Sequence, residues 1–300
     1  MKHVIGIDGG GTKTVGLLAD GNAHVLAEAR AGGANLQTHG ELEVEKVLHD
    51  VITQLAALHQ VDALCLGIAG VDRPHDELVI RGILRRLGRL TARIVNDATI
   101  ALLAGAPERY GIVVLAGTGS IAYGLDRKGL VARAGGYGYL LADEGSGYWL
   151  GHQALRAAVR GADGRGAQTA LIDLIFEALG IASIAELVPL VYERGMPKYQ
   201  IARLARLVER GRADGDVVCA GLLEEAAREL SLSARSVARQ LGFGAEPFPL
   251  VLAGGVFKAC PTLQGLIEER IQLPRAQLRR LDAEPAQGAV TLALDLLAGH

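Results

Sequence analysis

Two stretches of this chain read alike: IGIDGGGTKTVGLLADGNAHVLAEARAGG from Ile5, and VVLAGTGSIAYGLDRKGLVARAGG from Val113. Each has a short apolar strand, a Gly-Thr turn, an alternating strand, a charged turn and a closing Ala-Arg-Ala-Gly-Gly. A duplication of this kind predicts two similarly built domains that face one another across a cleft. The length of 300 residues agrees, because it is where a single core usually divides.

The first half carries more than the repeated hairpin. Apolar positions Val4 to Ile7 and Thr14 to Ala19 predict strands, with a turn at Asp20-Gly21-Asn22. Leu48, Val51, Ile52, Leu55 and Leu58 recur at helical spacing and precede an apolar strand over Ala63 to Ile68. A second helix through Leu84 and Leu87 leads to a strand at Arg93 to Val95. Strand-helix-strand-helix-strand predicts a parallel portion added to the opening meander, hence a mixed α/β domain. From His152 to about Leu241 the pattern is helical, with Pro189 and Pro197 as expected breaks. A strand over Pro249 to Ala253 runs into Gly254-Gly255 and a helix, and an amphipathic helix over Ala286 to Leu297 closes the chain.

Composition excludes several function classes. A formal net charge of −2 offers no basic field to hold a polyanion or an anionic membrane, so neither nucleic acid nor membrane is an expected partner. No apolar run approaches the roughly 20 residues of a bilayer span, and the opening MKHVIGIDGG is too short in apolar residues for a signal peptide. A cytoplasmic location is the expectation. Cys65, Cys219 and Cys260 are far apart in apolar surroundings and read as buried thiols rather than a disulfide framework or metal site.

The clustered glycines mark the chemistry. Asp8 closes the first strand just before Gly9-Gly10-Gly11-Thr12-Lys13-Thr14, so a carboxylate sits beside unobstructed backbone N–H groups. Such a turn can cradle phosphate while the acid holds Mg²⁺; an ordinary glycine-rich hairpin is the plain alternative. Gly117-Thr118-Gly119-Ser120 forms a second turn. It opens a formal GxGxxA match, but alternating residues follow where a dinucleotide-binding unit needs a helix, and a second phosphate hairpin fits better. Asn96-Asp97-Ala98 lies between a strand and a helix. There Asp97 is either a helix cap or a general base projecting into the cleft, taking a proton from a hydroxyl as its oxygen attacks a γ-phosphate. The segment from Gly135 to Trp149, GGYGYLLADEGSGYW, mixes glycines, aromatic rings and acids, the combination a sugar site requires.

In order, DGGGTKT, LGIAGVDR, NDA, LAGTGS, GGYGYLLADEGSGYWLGHQAL and LAGGVFK resemble the BadF/BadG/BcrA/BcrD-type ATPase family and, within it, N-acetylglucosamine kinases. The resemblance spans nearly the whole chain. It implies two actin/hexokinase-like (ribonuclease H-like) domains: residues 1–107 joined by the terminal helix 286–300, and 108–285 with a helical insertion. It implies ATP-dependent phosphorylation of an amino sugar, N-acetylglucosamine at its 6-hydroxyl, with ATP and Mg²⁺ required and a homodimer as the common assembly. Carried over by position, Asp8 organises Mg²⁺, and Gly10, Gly11, Thr12, Lys13, Thr118 and Gly119 line the phosphates. Gly254 and Gly255 meet adenosine, Asp97 is the catalytic base, and Asn35, Asp97, Tyr137, Gly138 and Asp143 meet the sugar.

Two positions depart from related eukaryotic kinases: Tyr137 replaces the Trp of GGWG, and Gln37 replaces an aromatic residue two positions after Asn35. Both keep glucosamine and glucose open as substrates. A second alternative is an activator-type ATPase acting on a protein partner, whose iron-sulfur cluster needs closely placed cysteines that Cys65, Cys219 and Cys260 do not supply.

Overall fold

A short apolar run after Lys2 produces β1 (His3–Gly9), and turns return the chain as β2 (Lys13–Asp20) and β3 (Val25–Gly32). Then come α1 (Leu36–His39), α2 (Glu41–Ala56), β4 (Ala63–Ile68), α3 (Pro74–Leu87), β5 (Thr91–Asn96) and α4 (Asp97–Gly105). The second set begins with β6 (Gly111–Ala116), β7 (Ser120–Leu125) and β8 (Val131–Gly135). A helical run follows: α5 (Gly147–Ala162), α6 (Leu171–Leu179), α7 (Ile184–Tyr192), α8 (Lys198–Arg203), α9 (Ala205–Ala213) and α10 (Val217–Gln240). The chain ends with β9 (Phe248–Ala253), α11 (Val256–Ala259), α12 (Thr262–Arg270), β10 (Ala276–Arg280) and α13 (Ala286–Ala298). The structure is a computed structural model describing residues 2–71, 73–88, 91–193 and 195–299, so Asp72 of the LGIAGVDR segment lies outside the described residues. It divides into two units, one of Met1–Val113, Leu125–Gly129 and Arg279–His300, the other of Val114–Gly124 and Leu130–Leu278.

Among the described residues the first sheet has five strands in the order β3-β2-β1-β4-β5. Strand β1 is antiparallel to β2 and parallel to β4, and β4 is parallel to β5, which is the meander with a parallel portion expected from the sequence. Period-two alternation sorts side chains onto two faces. Ile5, Ile7, Leu18, Leu64 and Leu66 pack with α2 and α3, the helix α2 contributing Val44, Val47, Leu48, Val51, Ile52 and Leu55. The intervening Val4, Val15, Leu17, Ala19 and Cys65 pack with Ile100 of α4 and with Ala289, Val290 and Ala293 of α13. Burial on both faces explains why β1, β2 and β4 read as nearly continuous apolar runs. The closing helix therefore returns to the unit that contains the first strand.

The second sheet has the order β10-β9-β6-β7-β8, which is the order of the first sheet with each strand replaced by its counterpart. The duplication seen in the sequence is thus a duplication of topology. Its difference is the run α5 to α10 inserted between β8 and β9.

One expected break is corrected. Pro189 does not end a helix but lies inside α7, whereas Pro197 is the cap residue before α8. Pro189 removes one N–H bond to the carbonyl four residues earlier. That carbonyl belongs to exposed Ala185, where water can replace the lost donor. No single helix among the described residues is long and apolar enough to cross a membrane.

Candidate functional site

In the first unit, the end of β1 and the start of α4 carry the acids. Asp8 pairs in register with Gly67 of parallel β4, and β5 stops at Asn96, so Asp8 and Asp97 both occupy carboxyl ends of parallel strands. That edge is where open α/β sheets usually present reactive groups. The Asn96 Oδ1 accepts the Ala98 N–H at 2.8 Å and so caps α4, with Asp97 Oδ1 2.9 Å from the same N–H. The capping duty thus falls first on Asn96. Burial and the Asp97 charge, in that order, push the Asp8 carboxyl from its usual 3.8 up to about 7, with Glu284 adding to the effect and Lys13 opposing it.

The hairpin between β1 and β2 is closed by the Gly10 N–H donating to the Lys13 carbonyl at 3.0 Å, and is tied down by the Ala34 N–H donating to the Gly10 carbonyl at 2.9 Å. His39 Nε2 lies 2.9 Å from the Gly11 carbonyl oxygen. Gly11 and Thr12 thus stand at the tip of a braced turn. The Lys13 ammonium pairs with Glu284 at 3.1 Å, and Arg30 reaches the same carboxylate at 2.9 Å. Glu284 is a residue sequence reasoning missed: it stands just before α13, and nothing in its spacing signals that it reaches Asp8 and Lys13. Asn35 caps α1 by accepting the Thr38 N–H at 3.1 Å, and Gln37 donates to Asp76 at 3.0 Å.

In the second unit, three separate motifs converge. The Gly117 N–H donates to the Gly119 carbonyl at 2.9 Å, forming the turn between β6 and β7. The segment from Asp143 to Tyr148 is fastened to that turn: Gly147 and Tyr148 N–H groups donate to the Gly117 and Thr118 carbonyls at 2.8 and 3.2 Å. Ser120 N–H points to Asp143 Oδ1 at 3.3 Å, and Ser120 Oγ donates to the Glu144 carbonyl at 2.8 Å. Asp143 therefore lies against the 117–119 turn, not only in the aromatic segment to which its sequence belongs. Burial first, then Glu144, raises its carboxyl from 3.8 to about 6, against the Ser120 N–H and the Lys198 charge.

Gly254 completes the group. Its φ is +107°, and a Cβ there would fall 2.2 Å from the Ala116 carbonyl oxygen. Only glycine lets β9 turn into α11 this close to the residue leading the 117–119 turn. Gly255 beside it is exposed. Tyr137 and Gly138 lie on an outward loop in which Gly136 and Tyr137 N–H groups both donate to the Ala142 carbonyl, and the Arg133 guanidinium covers the Tyr137 ring at 4.6 Å. Ser146 caps α5 by accepting the Trp149 N–H at 3.1 Å.

Paired acids at strand ends and two glycine turns in duplicated sheets agree with a family model that matches residues 5–293. The chain belongs to the BadF/BadG/BcrA/BcrD ATPase family. A Clostridium acetobutylicum N-acetylmuramic acid/N-acetylglucosamine kinase is 38% identical to this family member over 98% of each chain. A Dictyostelium discoideum N-acetyl-D-glucosamine kinase is 33% identical, with 97% of each chain covered. Among solved structures, a candidate N-acetylglucosamine kinase from Chromobacterium violaceum is 29% identical with a TM-score of 0.79, covering 98% of this chain and 99% of that one. A Streptomyces griseus ROK family glucokinase, in complex with glucose and AMPPNP, shares the fold at 17% identity and a TM-score of 0.63, over 98% of each chain. The two sheets are those of actin/hexokinase-like sugar kinases.

Proposed function

We propose that this family member transfers the γ-phosphoryl group of ATP to a hydroxyl of an N-acetylated amino sugar, N-acetylglucosamine at its 6-hydroxyl. The observation that carries the reading is the pairing of Asp8 with Asp97 at the carboxyl ends of parallel strands, close enough for one charge to disturb the other. The relatives named above act on N-acetylglucosamine and, in one case, on N-acetylmuramic acid as well, and they supply the substrate class.

In this reading Asp97 accepts the hydroxyl proton as that oxygen bonds to the γ-phosphorus; the bond from phosphorus to the β-phosphate oxygen breaks, and ADP leaves. The turns at Gly10–Lys13 and Thr118–Gly119 offer N–H groups to phosphate oxygens, and the Gly254–Gly255 turn meets adenosine, with open space beside Gly255. Asn35, Tyr137, Gly138 and Asp143 bind the sugar. A Mg²⁺ ion fits Asp8, because a carboxylate that ionises at a cost beside a second carboxylate is relieved by a cation, and Mg²⁺ takes one or two protein oxygens with the rest from water and phosphate. When bound there it neutralises phosphate charge. In this reading the chain acts in the cytoplasm and as a homodimer, and light scattering on the purified protein tests the dimer.

An activator-type role is opposed by the burial of Cys65, Cys219 and Cys260 as free thiols. The deciding assay is ADP release with N-acetylglucosamine, N-acetylmuramic acid, glucosamine, glucose and no sugar, for wild type and Asp97→Asn. Sugar-dependent release should fall by about 10²–10⁴ in the variant with ATP affinity kept. Release that ignores the sugar, or a variant of normal turnover, refutes the assignment.

A further inference from the structure

Lys198 begins α8, in the inserted helices of the second unit, and is absent from every motif discussed so far. Its place is set by backbone packing. A Cβ at Gly151 would fall 1.9 Å from the Ile201 carbonyl oxygen, so α8 lies hard against α5. The first turn of α5 is the part whose Gly147 and Tyr148 N–H groups hold the 117–119 turn. From there a line of contacts leads back. The Lys198 ammonium stands 4.3 Å from the centre of the Tyr139 ring, and that ring meets Tyr148 edge-on at 5.0 Å. Lys198 is also near enough to Asp143 for its charge to be felt there.

The electrostatics of this corner are unbalanced. The turn Gly117-Thr118-Gly119-Ser120 contains no cation, and Asp143 sets a carboxylate against it. A triphosphate arriving at such a turn meets negative charge unless a cation is brought in. Lys198 is half-buried, and an aromatic face retains an ammonium more weakly than a phosphate oxygen does. Its flexible four-carbon stem lets it exchange one for the other.

We propose that Lys198 is a further phosphate-binding residue, its ammonium leaving the Tyr139 ring to pair with the γ-phosphate of a nucleoside triphosphate held at Gly117–Gly119. The inference rests on the kinase reading above and adds to it a cation from outside the glycine turns. It makes the inserted helices part of the nucleotide site rather than an external decoration.

Calorimetric titration with ADP and with the β,γ-imido analogue of ATP, on wild type, Lys198→Met and Lys198→Arg, tests it. Lys198→Met should weaken the analogue by about 10- to 100-fold beyond any change in ADP affinity, Lys198→Arg should keep most of the difference, and the KM for sugar should hold. Tyr139→Leu, which removes the ring but leaves the ammonium, should bind the analogue at least as well as wild type, and retained ADP affinity guards against a fold defect in Lys198→Met. Equal loss for ADP and analogue, or no loss for either, overturns the proposal. So does a defect confined to carboxylate-bearing sugars, which would place Lys198 at the sugar. A wild-type protein that binds neither nucleotide brings down the kinase reading as well, so the two failures are separable.

Discussion

Replacing Asp8 by Asn should make the protein more stable at alkaline pH while destroying its metal-dependent activity. In the native state the Asp8 carboxyl is held at about 7 against a usual 3.8, first by burial and then by the charge of Asp97. Because the folded form holds its proton more tightly than the unfolded chain, Asp8 favours the native state fully below pH 3.8. That contribution declines as pH rises and is gone above about 7. A displacement of this size corresponds to about 4 kcal/mol between the two protonation states. Water reaching the strand end relaxes part of it, leaving about 1–3 kcal/mol to be observed. Asn keeps the shape and cannot ionise. The melting temperature of Asp8→Asn should exceed that of wild type at pH 8 by several degrees, at roughly 2–4 °C per kcal/mol, with a smaller gap at pH 5. Adding Mg²⁺ should raise the wild-type melting temperature and leave the variant unmoved. A variant less stable than wild type at pH 8, or a gap equal at the two pH values, would refute the reasoning, because either outcome means that ionised Asp8 carries no penalty.

Two further substitutions probe the scaffold of the second unit. Gly254→Ala must adopt a φ near +107° and meet the Ala116 carbonyl 2.2 Å away; it should cost about 3 kcal/mol in a thermal melt and weaken ATP in an equilibrium titration. Asp216→Ala removes acceptors for the Val218, Cys219 and Ala170 N–H groups and for the Thr169 hydroxyl. It should cost about 1–3 kcal/mol in chemical denaturation with the KM for ATP unchanged.

What could be read in advance follows from how far apart in sequence the interacting groups lie. Strands β1, β2 and β4 were legible because burial on both faces makes each a short, nearly continuous apolar run. The edge strand β10, AQLRR, was not, since its half-exposed positions carry no apolar alternation. The placement of Asp8 and Asp97 at strand ends was legible for a similar reason: each sits next to its own structural signal, a glycine turn or a strand-to-helix junction. Glu284 had none, for it acts on residues more than 250 positions away through the packing of α13 against β1.

The two copies of the hairpin show why their chemistry was not equally visible. When the strands are matched so that Gly9 meets Gly117, Asp8 falls on Ala116. The first copy carries its acid within the strand, where it must share the sheet edge with Asp97 and pays by ionising late. The second copy has Ala116 there, whose side chain carries no charge and whose backbone carbonyl lies against Gly254. Its carboxylate, Asp143, arrives instead from a segment 23 residues further along the chain than Ser120, fastened by backbone bonds that no side-chain pattern encodes. The cation in Coulomb reach of that carboxylate comes from further still, at the head of an inserted helix. A duplication therefore transmits the turn but not its charge. The second copy obtains its charged groups from the segments that follow its hairpin, which is why the helices inserted there are the place to look for what distinguishes its site.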